Sequence, residues 1–264
     1  MLRALWAAAS GMIAQQNNVD VISHNLANVN TPGFKVSRTE MGDVVFGQAP
    51  VTGAASRYLQ TGQQPYPPGG QGAGVTVLET RRSFQPGQLE ATDRPLDLAI
   101  NGPGFFEVEL PDGGEAYTRA GNFQLDPDGE LRTASGYRVA VSSRSSRSLA
   151  GLDPASIRVD QGGRITALVD GDERELGTIQ LVTFPNPAGL QAIGNGLYLA
   201  TGASGEADTH DHAGEVWQGF LERSNAQVVE EMVGLIVAQR AYEMNSKVVQ
   251  AADDMLGMAN NLRR

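Results

Sequence analysis

Cysteine is absent from the chain. That excludes a disulfide framework, a cysteine-ligated zinc or iron–sulfur centre, and a thiol nucleophile. Histidine is nearly as scarce, with three in 264 residues. Two of them form His210-Asp211-His212 beside Asp208, but this spacing matches no established zinc pattern and reads as a solvated loop. No run of 18 apolar residues occurs, so no membrane-spanning helix and no membrane insertion are expected. Positive charge is in deficit: a net charge of −10 is the opposite of the basic stripe that a nucleic-acid binder carries. The catalytic loops are missing too, with no G-x-S-x-G elbow and no Walker loop. Gly70-Gln71-Gly72-Ala73-Gly74 follows no strand and opens no helix, so it is not a dinucleotide loop. Asp126-Pro127-Asp128-Gly129-Glu130 lacks the further ligands of a calcium loop and reads as a hairpin turn. No enzyme, cofactor or metal is expected.

What the chain does have is glycine, at 32 residues or about 12% against a usual level of about 7%. Hydrophobic residues make up 41% and charged residues 19%, a balance that suits a folded chain long enough to bury a core. The charge is unevenly placed. Residues 1–34 hold one base, Arg3, and one acid, Asp20; residues 220–264 hold six acids and five bases. Near-neutral ends flank an acidic middle. The opening Arg3-Ala4-Leu5-Trp6-Ala7-Ala8-Ala9 imitates a short signal peptide, although the apolar spacing runs on past it to Leu26.

That spacing is helical. Leu2, Leu5, Ala9, Met12, Gln16, Val19, Ser23 and Leu26 step by three and four, and Thr31-Pro32-Gly33 then stops the helix. The pattern predicts a helix over about residues 3–28. At the other end, Ser224-Asn225-Ala226-Gln227 fits a capping box. Val237, Ala241, Met244, Val248, Ala251, Met255, Met258 and Leu262 then keep unbroken 4-3 spacing without a proline. A helix of this length overhangs a small β-domain and needs another helix. The expected pairing joins the two ends antiparallel.

Between the ends, residues 46–74 are low in complexity and dominated by Gly, Gln, Pro, Ser and Ala, which cannot fold alone. From about residue 95 the period becomes two. Leu96–Ile100 and Phe106–Leu110 alternate, with turn signals at Asn101-Gly102, Pro111-Asp112-Gly113, Asp126–Gly129, Gln161–Gly163, Asp170-Gly171 and Asn195-Gly196. A compact antiparallel β-domain is predicted. The fold class is therefore α+β: long terminal helices paired as an antiparallel coiled coil, a central antiparallel β-domain and an extended Gly/Gln/Pro-rich linker. The expected boundaries are 1–34, 35–94, 95–219 and 220–264.

Three stretches resemble one family. Residues 1–35, with Asn25-Leu26-Ala27-Asn28 and Thr31, Gly33 and Phe34, resemble the N-terminal signature of bacterial flagellar rod and hook proteins. Ser224-Asn225, Val228–Met232 and Gln239-Arg240-Ala241-Tyr242 through Lys247 resemble the C-terminal signature, and residues 94–137 are similar to the opening of the family's β-domain. Asn is common in the family where His24 stands here. The start Leu2–Trp6 and the linker at 46–74 favour a subunit of the distal-rod type, with a proximal-rod or hook-type subunit as the alternative. From a different class, the rival is a secreted β-domain enzyme or adhesin on a coiled-coil stalk. The resemblance implies a helical homopolymer, a hollow drive shaft carrying torque from motor to hook through the periplasm. Its implied partners are copies of itself, proximal rod proteins, the hook protein, the surrounding P and L rings, the flagellar export apparatus and the rod cap. The expected assembly seam is Leu5, Met12, Val19, Leu26, Val237, Met244, Val248, Met255 and Leu262.

Overall fold

The computed structural model describes residues 2–45, 72–142, 153–169, 172–209 and 214–261. A helix stands at each end, with antiparallel strands between them. The chain divides into two compact units: residues 1–24, 37–81 and 229–264 form one, and residues 25–36 with 82–228 form the other.

The first unit holds α1 (Leu2–Ala27) up to His24, most of α2 (Val228–Asn261), and the strands β1 (Ser37–Val45) and β2 (Gly72–Arg82), which pair as a two-stranded ribbon. α1 matches its predicted span to within a residue. α2 begins later than the capping-box reading requires. Ser224 Oγ does accept from the Ala226 backbone N–H, but Asn225 is held elsewhere: its carbonyl oxygen accepts from Val36 N–H, and its amide donates to the Ser83 and Gln85 carbonyls. The chain thus stays non-helical to residue 227, with a bend at Asn225, before the helix starts. The segment read as a linker contains β1, β2 and part of the β unit. In β2 the alternation of half-buried Val75 and Val77 with exposed Thr76 and Leu78 explains the strand. The ribbon meets α1 through Ser10, whose hydroxyl accepts from Val75 N–H and donates to the Ala7 carbonyl. Residues 46–71, most of the low-complexity stretch, lie outside the described residues.

The second unit is β throughout. Its largest sheet runs β15 (Gln191–Gly194), β16 (Leu197–Leu199), β6 (Glu115–Thr118), β5 (Phe105–Glu109), β9 (Arg138–Val139), β8 (Leu131–Arg132), β7 (Gln124–Leu125), with β14 (Leu181–Val182) also paired to β5. A four-stranded sheet orders β10 (Val141–Ser142), β13 (Asp172–Ile179), β12 (Arg164–Val169) and β11 (Ile157–Val159). Two further pairs join β17 (Glu215–Gln218) to β4 (Leu98–Asn101) and β18 (Phe220–Glu222) to β3 (Leu89–Ala91). Strand β5 is covered on both faces. Phe106 and Val108 enter a core with Ile100, Phe123, Ile165 and Val216, while Phe105 joins Tyr117, Phe184 and Tyr198 in a second cluster.

The turn signals have mixed outcomes. Asn195 and Gly196 both take positive φ, 54° and 71°, and close the β15–β16 hairpin. The turns at 111–113, 126–129 and 161–163 also join adjacent antiparallel strands. Asp170 and Gly171 lie outside the described residues, between strands paired with Val169 opposite Asp172. Asn101-Gly102 makes no hairpin. β4 pairs instead with β17, Ile100 opposite Val216, more than a hundred residues away. Nor does the boundary expected at 94/95 separate linker from domain: β3 lies before it, and β3 pairs with β18 in the same unit.

Candidate assembly interface

In the first unit the helices meet through small residues. Gly11 lies against Asn245 and Gly234 against Ile22, so the chain directions are opposed. Ala8, Ala14 and Ile22 are buried on α1, and Ala238 and Ala252 on α2, at 1% exposure each. Heptad spacing from Ala238 through Asn245 to Ala252 puts all three on one face. The sequence seam Val237, Met244 and Met255 lies about 100° or less to the side of that face at 3.6 residues per turn.

That seam points away from α1. Val237 and Met244 are each 61% exposed, and Val248 and Met255 are nearly half exposed. Met232, Val233, Ile236 and Met258 extend the apolar surface. On α1, Trp6 is 68% and Ile13 63% exposed, whereas the seam residues Leu5, Met12, Val19 and Leu26 are half-buried. Leu262 lies outside the described residues. Of the signature residues on α2, Gln239, Arg240 and Tyr242 are exposed and Ala241 is half-buried; Arg240 pairs with Glu243 at 2.8 Å. Together these residues make a broad apolar exposure on one helix.

The second unit contains a feature that sequence reasoning missed. Lys35 Nζ donates to Glu222 Oε1 at 2.6 Å and to the Gln85 carbonyl at 2.7 Å. Arg119 reaches Glu222 Oε2 at 3.3 Å and donates to the Gly102 carbonyl at 2.7 Å, with its guanidinium over the Phe105 ring. Gly87 N–H donates to the same carboxylate, and Gly33 N–H to the Glu222 carbonyl. All three charged side chains are buried. Burial lowers the pKa of Lys35, against the attraction of Glu222 and with help from Arg119. Desolvation also lowers the pKa of Arg119, opposed by Glu222. Nothing local in the sequence marks these residues, because Lys35 and Glu222 are 187 positions apart.

Two signature residues, Gly33 and Phe34, adjoin this cluster: Gly33 N–H donates to the Glu222 carbonyl and the Phe34 carbonyl accepts from Asn225 N–H. Gly33 takes φ 68°, and a Cβ there would lie 2.6 Å from the Arg119 carbonyl carbon, so glycine is required on both counts. Asn25 is buried, Leu26, Asn28 and Phe34 are half-buried, and Ala27 is exposed. The N-terminal signature thus combines helix surface with packing in the β unit.

Chemically reactive groupings are sparse. Among the described residues no cluster of three metal-ligating side chains occurs; His210, Asp211 and His212 lie outside them. A shallow groove of about 510 Å³ runs beside Asp160, Gln161, Trp217 and Gln218. Its Gln218 amide is already committed to Pro95, Ile157 and Val159 of the backbone.

Three family models match in chain order: flagella basal body rod protein over residues 5–35, flagellar hook protein FlgE/F/G D1 domain over 99–167, and flagellar basal body rod FlgEFG protein C-terminal over 218–262. The flagellar basal-body rod protein FlgG of Borreliella burgdorferi is 43% identical, with all of both chains covered. The protein of that name from Bacillus subtilis is 37% identical, also over the whole of both chains. The flagellar hook-basal body complex protein FlhP of the same organism reaches 28% over the same coverage.

Proposed function

The chain belongs to the flagellar basal-body rod protein family, and from that premise we propose how it works as a structural subunit of the distal rod. The terminal helices form an antiparallel coiled coil through their small-residue faces. The exposed apolar surface of α2, with Trp6 and Ile13 on α1, then packs against copies of the same chain to build a hollow helical shaft carrying torque from motor to hook. The observation that carries this reading is the outward Val237–Met255 seam, too apolar to remain in water. Near-neutral ends favour it, because stacked like charges would repel.

The partners at the shaft's ends and sides are proximal rod proteins, the hook protein, the P and L rings, the rod cap and the export apparatus, and the shaft crosses the periplasm. The role is mechanical, with no catalytic step. Electron microscopy of purified full-length protein tests it: tubes are expected, and protein that stays monomeric at all concentrations, or that hydrolyses peptidoglycan, would overturn it.

A further inference from the structure

We propose that Glu222 is a latch holding the two ends of the β unit's chain together, and that the latch is built with one positive charge in excess. The contacts come from five segments: Lys35 after α1, the Gln85–Gly87 stretch, the Ile100 and Gly102 carbonyls at the end of β4, Arg119 after β6, and Glu222 at the end of β18. Two cations share one carboxylate. Among the described residues no other acid pairs with either cation. Main-chain bonds stitch the same ends: Gly33 N–H to the Glu222 carbonyl, Arg223 N–H to the Gln88 carbonyl, and Asn225 N–H to the Phe34 carbonyl.

The charge count makes the three members unequal. A buried ion stripped of its counter-ion is far more costly than a buried neutral pair. Without Glu222, two cations face each other with only carbonyl oxygens for partners. Without Lys35, Arg119 and Glu222 remain as a neutral pair. Glu222 therefore controls closure, while Lys35 adds reach between the ends at an electrostatic cost. A chain whose residues beyond 214 have not docked holds both cations without an anion, so closure of the β unit waits on its last strand. This inference does not depend on rod assembly.

Full-length protein carrying Glu222→Gln, Lys35→Met or both tests the latch, with amide exchange read at Gly33, Gly87 and Arg223. Glu222→Gln should speed exchange at these amides by about 100-fold or more, or prevent folding of the unit altogether. Lys35→Met should leave Gly33 and Arg223 protected as in the parent chain, and the double variant should exchange more slowly than Glu222→Gln alone. Equal damage from Lys35→Met and Glu222→Gln, or unchanged exchange in Glu222→Gln, would overturn the proposal.

Discussion

Asn245 of α2 lies so close to Gly11 of α1 that a Cβ on the glycine would stand 2.7 Å from the asparagine amide nitrogen. The atom in the way is the tip of a side chain, which can swing aside. Gly11→Ala should therefore be nearly neutral, because it gains about 1 kcal/mol of helix propensity against the cost of displacing that amide. Gly11→Leu has no such escape and should separate the helices. Far-UV circular dichroism melts of both variants check the contrast; a leucine variant that melts with the parent would contradict the close approach.

Val248→Asp is expected to leave the subunit folded and abolish tube formation. Val248 is already 46% exposed, so the carboxylate costs the isolated chain little. In an apolar contact between copies its desolvation costs several kcal/mol by order of magnitude. Sedimentation and electron microscopy give the readout, and normal tubes would remove this residue from the interface.

Gly121→Ala should unfold the β unit. A Cβ at that position would sit 1.6 Å from the Leu98 carbonyl oxygen, which is backbone and cannot yield. The loss should reach about 3 kcal/mol or more. Gly202→Ala, with nothing within 4 Å of its Cβ, is the control expected to change the urea midpoint little.

Alkaline pH should act on the β unit in two opposed steps. Burial holds Lys35 below the ordinary lysine value of 10.5, with Glu222 and Arg119 beside it. Between its lowered pKa and 10.5 the unfolded chain binds more protons, so stability rises with pH through that window. Burial raises Tyr117 from 10.0 to about 12, and raises Tyr198 in the same direction despite Arg82 and Arg119. Above 10 the folded chain therefore holds more protons, and stability falls. The urea midpoint, followed by Trp217 fluorescence in a Trp6→Phe background, should climb and then drop. Lys35→Met should flatten the climb, and Tyr117→Phe should soften the drop.

The helices and most hairpins were legible in the sequence because their causes are local. Three-four spacing, a Thr-Pro-Gly stop, and Asn-Gly or Asp-Gly turns act within a few residues. Even so, local signals misjudged two places. Asn101-Gly102 has hairpin chemistry, but the core prefers Ile100 beside Val216. Ser224 has capping chemistry, but Asn225 is bound to backbone from two other segments.

The apolar stripe on α2 was determined by the sequence alone. Which stripe faces α1 was decided only in three dimensions. Close approach of two helices favours glycine and alanine, so Gly234, Ala238 and Ala252 take the inner face and the bulkier seam is left outside. The Lys35–Glu222–Arg119 cluster was likewise invisible in the linear order. Sequence rules place charged side chains in water. Only the meeting of segments 187 residues apart supplies the counter-charge and carbonyl oxygens that let these three be buried.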